Sequence, residues 1–403
     1  MPAVTASPIP ALARRLDAPV ALSPDQCPSL LAHLAQLADP RARRGRRHPL
    51  VSVLAIAVAA VLTGARSLAA IGEWAQDAPQ AVLAALGVRH DPVRGTYRPP
   101  DEATVRRVLA RLDADALDAT LGRWLADQQP APAHRSSRPA RPVRALAIDG
   151  KTLRGSAGAG KRPVHLLAAM DHASQVVLAQ VEVTSKANEI TRFAPLLDGL
   201  ELHDTVITAD AIHTQREHAD WLVTVKHAAY VLIVKDNQPT LRRQLERLPW
   251  SDIPVQDVTR DRAHGRSEIR RLQVATVAGL GFPHATQALR ITRRVRRLRS
   301  RRWRTVTVYA LTSLTHLQAS PARLADYIRG HWGIEALHHI RDVTFTEDLS
   351  QVRTGNAPRV MASLRNLVVA ILRLRGQTNI AAALRHNARD ATRPLALLGI
   401  TSS

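Results

Sequence analysis

The chain has 403 residues, enough for two or three domains, and 45% of them are hydrophobic, which is typical of globular proteins. Lysine and arginine number 56 against 34 acidic residues, giving a formal net charge of +22. This excess of positive charge excludes few classes of protein by itself. The charges repel one another unless a polyanion neutralises them, so we expect nucleic acid as the partner. The single cysteine, Cys27, excludes an internal disulfide, and we expect a cytoplasmic protein.

No targeting or membrane segment is predicted. Arg14 and Arg15 interrupt the apolar start of the chain, which is not typical of a signal peptide. The apolar run at 50–65 is shorter than the about 20 residues that cross a bilayer. We therefore expect a buried helix there and no membrane partner.

The N-terminal third predicts helices. Residues 1–28 are expected to form a loose arm, and apolar periodicity predicts helices at 30–38, 50–65, 68–76, 79–86, 102–112 and 114–125. A proline-bounded arginine cluster at 39–49 is expected to grip phosphates. Its candidate residues are Arg43, Arg44, Arg46 and Arg47. We assign 29–127 to an all-helical DNA-binding domain and the proline-rich segment 128–142 to a linker.

Strands dominate after this linker. They are predicted at 144–148, 165–170, 175–183, 205–208 and 230–234, with helices at 189–197 and 214–225. Further strands at 270–277, 288–295 and 305–314 indicate a β-rich insertion at about 250–316. Helices are predicted from Ser320 past residue 335 and over 358–375. We assign 143–376 to one α/β domain and 377–403 to a C-terminal tail.

Two aspartates follow strands of this domain. Asp149 comes after the first strand and Asp210 after the fourth, and the β-β-β-α-β order makes these two strands neighbours in a sheet. The carboxylates would then lie side by side, which is costly unless cations neutralise them. We expect divalent metal ions there, although an aspartate at a strand end is also common as a turn or cap residue.

A third carboxylate stands on a predicted helix. Glu335 shares one helical face with His331, with His338 or His339, and with Asp342. One alternative is a zinc site built from His331, Glu335 and His339. The other alternative is a solvated helix face.

Three motifs carry a family resemblance. They are Ala-Ile-Asp-Gly-Lys-Thr-Leu-Arg-Gly-Ser at 147–156, Thr-Ala-Asp-Ala-Ile-His-Thr-Gln at 208–215 and His-Trp-Gly-Ile-Glu at 331–335, supported by stretches at 186–190, 234–239, 264–266 and 342–348. The chain resembles insertion-sequence transposases of the H-repeat-associated branch, within the DDE group that shares a ribonuclease-H-like fold. The segment 39–49 resembles the N-terminal domain associated with that branch. Relatives in the wider group carry Tyr, Arg and Lys where this chain has Ile328, His331 and Asp342, which weakens any DNA contact inferred at those positions.

The resemblance implies an activity and a cofactor. Asp149, Asp210 and Glu335 would be the catalytic acids and would hold two Mg²⁺ ions, with Mn²⁺ tolerated. The enzyme would cleave the ends of an insertion sequence and transfer the 3′ ends to target DNA. Its partners would be terminal repeats and target DNA, bound by a homodimer or a larger assembly associated with the nucleoid.

Basic and polar side chains complete the expected site. Eight arginines fall within residues 293–304, a density that indicates phosphate contact. The expected DNA-binding residues of this domain are Lys151, Arg154, Lys186, Lys235, Arg266, Arg293, Arg294, Arg296 and Arg297. The expected supporting residues are Asn188, His213, His331, His338 and Asp342.

Two other functions fit the same residues. A ribonuclease-H-like nuclease would recognise the structure of the DNA rather than its sequence, and it would cut strands without joining them. A degenerate transposase would bind DNA without catalysis.

Overall fold

The N-terminal part of the chain is largely helical. The computed structural model describes residues 29–44, 46–128, 144–158, 160, 162–183, 189–263 and 265–400. The first six helices are α1 (Leu30–Leu34), α2 (Leu50–Leu62), α3 (Leu68–Asp77), α4 (Gln80–Ala85), α5 (Glu102–Arg111) and α6 (Ala114–Asp127). Ser29, Ser67, Asp101 and Asp113 start α1, α3, α5 and α6 because each side chain accepts a hydrogen bond from a backbone N–H of the first turn.

A short hairpin interrupts these helices. Strands β1 (His90–Asp91) and β2 (Thr96–Tyr97) pair antiparallel between α4 and α5. The expectation of an all-helical region was wrong in this detail, because two-residue strands leave no periodic signal. The arm at 1–28 and most of the linker, 129–142, lie outside the described residues.

One nine-stranded mixed sheet forms the second part of the chain. Its order is β5-β4-β3-β6-β7-β11-β10-β9-β8. The strands are β3 (Arg144–Thr152), β4 (His165–Asp171), β5 (Val177–Val183), β6 (Thr205–Ala209), β7 (Ala229–Val234), β8 (Asp257–Ala263), β9 (Arg266–Thr276), β10 (Gln287–Arg297) and β11 (Arg304–Thr312). Among the described strands, only the β3–β6 and β6–β7 pairs are parallel. The segment expected as a β-rich insertion forms β8–β11, which extend the same sheet because β11 pairs with β7.

Strands β3 and β6 are neighbours, as their order in the sequence predicted. Ile148 pairs with Ala209, so Asp149 and Asp210 follow directly on adjacent parallel strands. The prediction that β3 ends before Asp149 was wrong. It continues to Thr152 because β4 keeps pairing with it as far as His165.

Helices cover both the sheet and the N-terminal helices. They are α7 (Glu189–Asp198), α8 (Arg216–Thr224), α9 (Pro239–Glu246), α10 (Pro321–Thr344), α11 (Ala357–Leu374), α12 (Ile380–Asn387) and α13 (Arg393–Leu397). Most of α11 is buried, and its apolar residues share one core with α2, α5 and α6. Residues 377–400, which we expected to form a tail, contain α12 and α13, and Ile380 and Leu384 pack into that core.

Burial of α2 explains its composition. Val53 through Leu62 are each 0% exposed, so this uniformly apolar helix lies inside the protein core. No helix in the described ranges combines the length and apolar character needed to cross a bilayer.

Candidate active site

Asp149 lies in a strongly acidic setting on β3. Burial raises the pKa of its carboxyl to about 7, and the charges of Glu335, Asp210 and Glu189 add to the rise, while a hydrogen bond from the backbone N–H of Gly150 opposes it. Asp210 and Glu335 therefore both act electrostatically on Asp149. Like charges held together in this way favour a bound cation.

Asp210 is held by a lysine. It follows β6 directly and precedes a single turn of 3-10 helix at 211–213, to which its side chain makes no capping hydrogen bond. Lys235, just after β7, donates a hydrogen bond from Nζ to Oδ1 of Asp210 at 2.7 Å. Burial alone would raise the pKa of Asp210, but hydrogen bonds from Lys235 and from the backbone of Ala211, with the lysine charge, lower it overall. Asp210 is therefore ionised while Asp149 resists ionisation.

Glu335 is presented by the 24-residue helix α10. Ser320 caps this helix and Pro321 occupies its first turn, as the sequence predicted. Leu324, Ile334 and Leu337 are buried against the sheet, whereas Glu335 is exposed. The helix therefore carries an unburied carboxylate over the strand that holds Asp149.

Lys151 ties α10 to β3. Its Nζ donates to both oxygens of Asp342 at 2.7 Å, and Asp348 lies 3.9 Å away. Lys151 is 8% exposed, so this pair is shielded from water. Lys151, which we predicted to contact DNA, is paired in this structure with Asp342 of α10.

Of the three candidate histidines, His213 and His331 are buried and His338 is half-buried, and all three are electrically neutral near pH 7. Burial lowers the pKa of His331 and of His213 to about 4 and lowers that of His338 well below its usual value. His331 shares a hydrogen bond of 3.1 Å between Nδ1 and Oγ1 of Thr208, and His338 Nδ1 lies 3.4 Å from Asp149 Oδ2. His338 is thus the histidine that contacts a predicted catalytic acid.

Glu189 is a buried acid near β3 that our site prediction missed. Oε1 of Glu189 is 2.6 Å from His165 Nε2, and His165 Nδ1 is 2.8 Å from Thr152 Oγ1. A Cβ on Gly150 would stand 3.1 Å from each carboxylate oxygen of Glu189, so glycine leaves room for this pair. The stretch 186–190 was noted as a motif, but the contact depends on tertiary packing that its sequence does not encode locally.

The predicted DNA-binding residues differ in their surroundings. Most are exposed: Arg43, Arg44, Arg46, Arg47, Arg154, Lys235, Arg266 and Arg297. Arg294 and Arg296 are half-buried, and Arg293 is paired with Glu268 at 2.7 Å. Lys186 and Asn188 lie outside the described residues.

The donor set suits a hard divalent cation. Among the described residues, no three His, Cys, Asp or Glu side chains are arranged as a metal-binding group. This holds for Asp149, Asp210 and Glu335 as it does for His331, Glu335 and His339. Burial is the main cause of the raised pKa of Asp149, and the charges of Glu335, Asp210 and Glu189 add to it. Carboxylate oxygens are the ligands that Mg²⁺ prefers, so the residues fit such an ion by their chemistry.

Comparison with known proteins places this arrangement in a family. Residues 31–125 match the model described as DDE_Tnp_1-associated, and residues 140–371 match the model of the transposase DDE domain. The chain is 29% identical over 362 residues to "Putative transposase YncI" of Escherichia coli O157:H7, covering 86% of this chain and 87% of that protein. It is 27% identical to YhhI of Escherichia coli K12, which is described as H repeat-associated, covering 85% and 90% of the two chains.

A solved structure also aligns with the chain. It is the piggyBac transposase synaptic complex with hairpin DNA, at 12% identity and a TM-score of 0.44, covering 92% of this chain and 78% of that one. This likeness is too low to support a fold assignment. The domain model spans more than half of the 403 residues. The chain therefore belongs to the DDE transposase family.

Proposed function

We propose that this protein cleaves the ends of an insertion sequence and transfers the resulting 3′ ends to target DNA at Asp149, Asp210 and Glu335. The observation that carries the proposal is the placement of Asp149 and Asp210 directly after paired residues of parallel strands. The third acid acts electrostatically on the first. We assign these acids to a ribonuclease-H-like catalytic domain at 143–376 and the helices at 29–127 to a DNA-binding domain.

The three acids would hold two Mg²⁺ ions, and Mn²⁺ would be tolerated. When bound, the ions would stabilise charge on the attacking and leaving oxygens of an in-line displacement. Lys235 fixes one oxygen of Asp210 and leaves the other available as a ligand. Lys151 and Asp342 hold α10 so that Glu335 stays near Asp149.

The chain's own residues would also hold DNA. Phosphates would contact the exposed arginines at 43–47 and the exposed Arg297 at the end of β10, and these contacts would release counterions from the duplex. Terminal repeats and target DNA would both bind, and pairing two ends requires a dimer or larger assembly. We place this complex in the cytoplasm, on the nucleoid.

The test is an end-cleavage and strand-transfer assay. Labelled duplexes carry the ends of the element that encodes the chain, and the assay compares wild type with Asp210→Asn in Mg²⁺. Asp236→Asn is the matched control, because Asp236 lies next to Lys235 but pairs with Arg242 at the surface. We expect joined products from wild type and the control and none from Asp210→Asn.

Other outcomes would identify the alternatives. Cleavage without joined products would indicate a nuclease. Binding without cleavage in Mg²⁺ or Mn²⁺ would indicate a DNA-binding protein without catalysis. Equal activity of wild type and Asp210→Asn would show that the assigned acids are wrong.

A further inference from the structure

Two tryptophans stack with arginines on opposite faces of the strands β9, β10 and β11. The guanidinium carbons of Arg270 and Arg293 lie 4.0 and 5.0 Å from the ring centre of Trp332. Those of Arg294 and Arg296 lie 5.1 and 5.0 Å from the ring centre of Trp303. Because successive side chains of a strand point to opposite faces, neighbouring arginines on β10 serve different stacks.

The stack on Trp332, which we call the inner stack, faces the catalytic helix. Ile291 precedes Arg293 by two residues and Leu272 follows Arg270 by two, so these apolar residues share its face. Both belong to an apolar cluster that includes Leu324 of α10. This face of the insertion therefore contacts α10 in two places: through apolar side chains near Leu324 and through the arginines at Trp332.

A glutamate fixes the inner arginines. Glu268 on β9 accepts hydrogen bonds from Nε and Nη2 of Arg293, both at 2.7 Å, and also pairs with Arg270. This bidentate contact fixes the plane of the Arg293 guanidinium, which is what stacking on an aromatic ring needs. Arg293 and Arg270 are therefore engaged within the protein rather than free to bind phosphate.

We propose that Trp332 is a positioning residue, which clamps α10 between Arg270 and Arg293 and thereby sets the place of Glu335. Trp332 precedes Glu335 by three residues, so the two are one helical turn apart. Hydrogen bonding to Glu268 raises the pKa of Arg293, and the charge of Glu335 contributes to this rise, which shows that the clamp and the catalytic acid are neighbours. This inference rests on the proposed role of Glu335.

The stack on Trp303, the outer stack, has a different environment. Within the described part of the chain, no carboxylate pairs with Arg294 or Arg296, in contrast to Arg293. Their positive charge stays available to a polyanion. Arg293, Arg294 and Arg296 were all predicted to bind DNA. We now expect Arg294 and Arg296 to bind it, whereas Arg293 contacts the helix that carries Glu335.

The test compares hydrogen exchange, DNA affinity and the cleavage rate at saturating DNA. The variants are Trp332→Ala, Trp332→Phe and Arg270→Gln in the full chain. Trp221→Ala is the matched control, because Trp221 also stacks with a cation, Lys226 at 5.4 Å. It lies on α8, whose Arg216 and Asp220 contact the insertion at Gly281 and His284 rather than at the inner stack. The DNA probe is the labelled end-carrying duplex, and melting temperatures verify that each variant folds.

We expect Trp332→Ala to lower the saturated cleavage rate by about 100-fold, with DNA affinity within about threefold of wild type. Backbone amides at 332–340 should exchange at least about tenfold faster in this variant. Trp332→Phe should restore most of the rate, because a phenyl ring still stacks between two guanidinium groups. Arg270→Gln should also lower the cleavage rate and speed up amide exchange, but by less than Trp332→Ala. If Trp332→Ala does not fold, Arg270→Gln takes its place in the comparison.

Either of two results would overturn the clamp. One is a saturated rate for Trp332→Ala and Arg270→Gln equal to that of Trp221→Ala. The other is a loss that lies wholly in DNA affinity. If wild type itself does not cleave, the proposed function fails, and the exchange rates at 332–340 alone decide whether the clamp holds the helix.

Discussion

Replacing Glu347 by glutamine is expected to destabilise the folded chain by about 3–5 kcal/mol, the cost of breaking a buried ion pair. Glu347 follows α10 and accepts hydrogen bonds from Arg341 Nε and Arg365 Nη1, each at 2.9 Å. The glutamate and both arginines are 1% exposed. The neutral amide would remove the negative charge between two buried guanidinium groups and leave one acceptor oxygen at residue 347 instead of two.

The magnitude follows from the size of the chain. An unfolding entropy of about 2.1 cal/mol/K per residue gives about 0.8 kcal/mol/K for 403 residues, so the melting temperature should fall by about 4–6 °C. The matched control is Glu246→Gln, which removes a surface pair with Arg242 in which both side chains are 39% exposed. Water and salt screen that surface pair, so its loss should leave the melting temperature within about 1 °C.

Acid should reveal the same interaction. Burial alone would raise the pKa of Glu347, but the charges of Arg341 and Arg365 outweigh it and the pKa is lowered. The stabilisation is therefore present above the unfolded pKa and is lost as the pH falls through the folded one. The free energy of unfolding of wild type, measured in urea, should decrease below about pH 4.5, and that of Glu347→Gln should decrease less. A cost for Glu347→Gln no larger than that of Glu246→Gln would refute the reasoning.

Three further outcomes follow from the site. Replacing both Arg294 and Arg296 by glutamine should reduce the slope of log affinity against log salt by about 1.8, measured by DNA binding at several salt concentrations; an unchanged slope would remove them from the interface. Asp149→Asn should raise the melting temperature of the metal-free protein at pH 8, because the raised pKa of about 7 penalises the ionised carboxyl, and this gain should shrink as the pH falls from about 7 to about 4. A gain that grows in acid would contradict this. Lys151→Met should lower the cleavage rate while leaving DNA affinity unchanged, since its Nζ is engaged by Asp342, and a loss of affinity alone would return Lys151 to the DNA-binding set.

The pair of aspartates could be predicted from local patterns. Apolar runs ending at 148 and 209 marked the strands, and the order of strands and helices restricted which strands could be neighbours. The length of β3 could not be predicted in this way, because it depends on pairing with β4 beyond residue 149. The helix that carries Glu335 was predicted from its cap and its apolar face.

Contacts between distant residues could not be predicted. Lys151 and Asp342 are 191 residues apart, and either side chain alone is compatible with a surface position. The clamp on Trp332 joins three elements, so the sequence showed only a dense run of arginines. The structure assigns these arginines to two faces because of the register of β9, β10 and β11.

The central claim is that Asp149, Asp210 and Glu335 share one metal site. Replacing Mg²⁺ by Fe²⁺ with ascorbate and peroxide would generate radicals that cut the backbone near the bound ion, and mass spectrometry would locate the cuts. We predict cuts close to all three residues in wild type and their joint loss in Glu335→Gln. Cuts confined to other segments, or cuts near the two aspartates that persist unchanged in Glu335→Gln, would contradict the shared site.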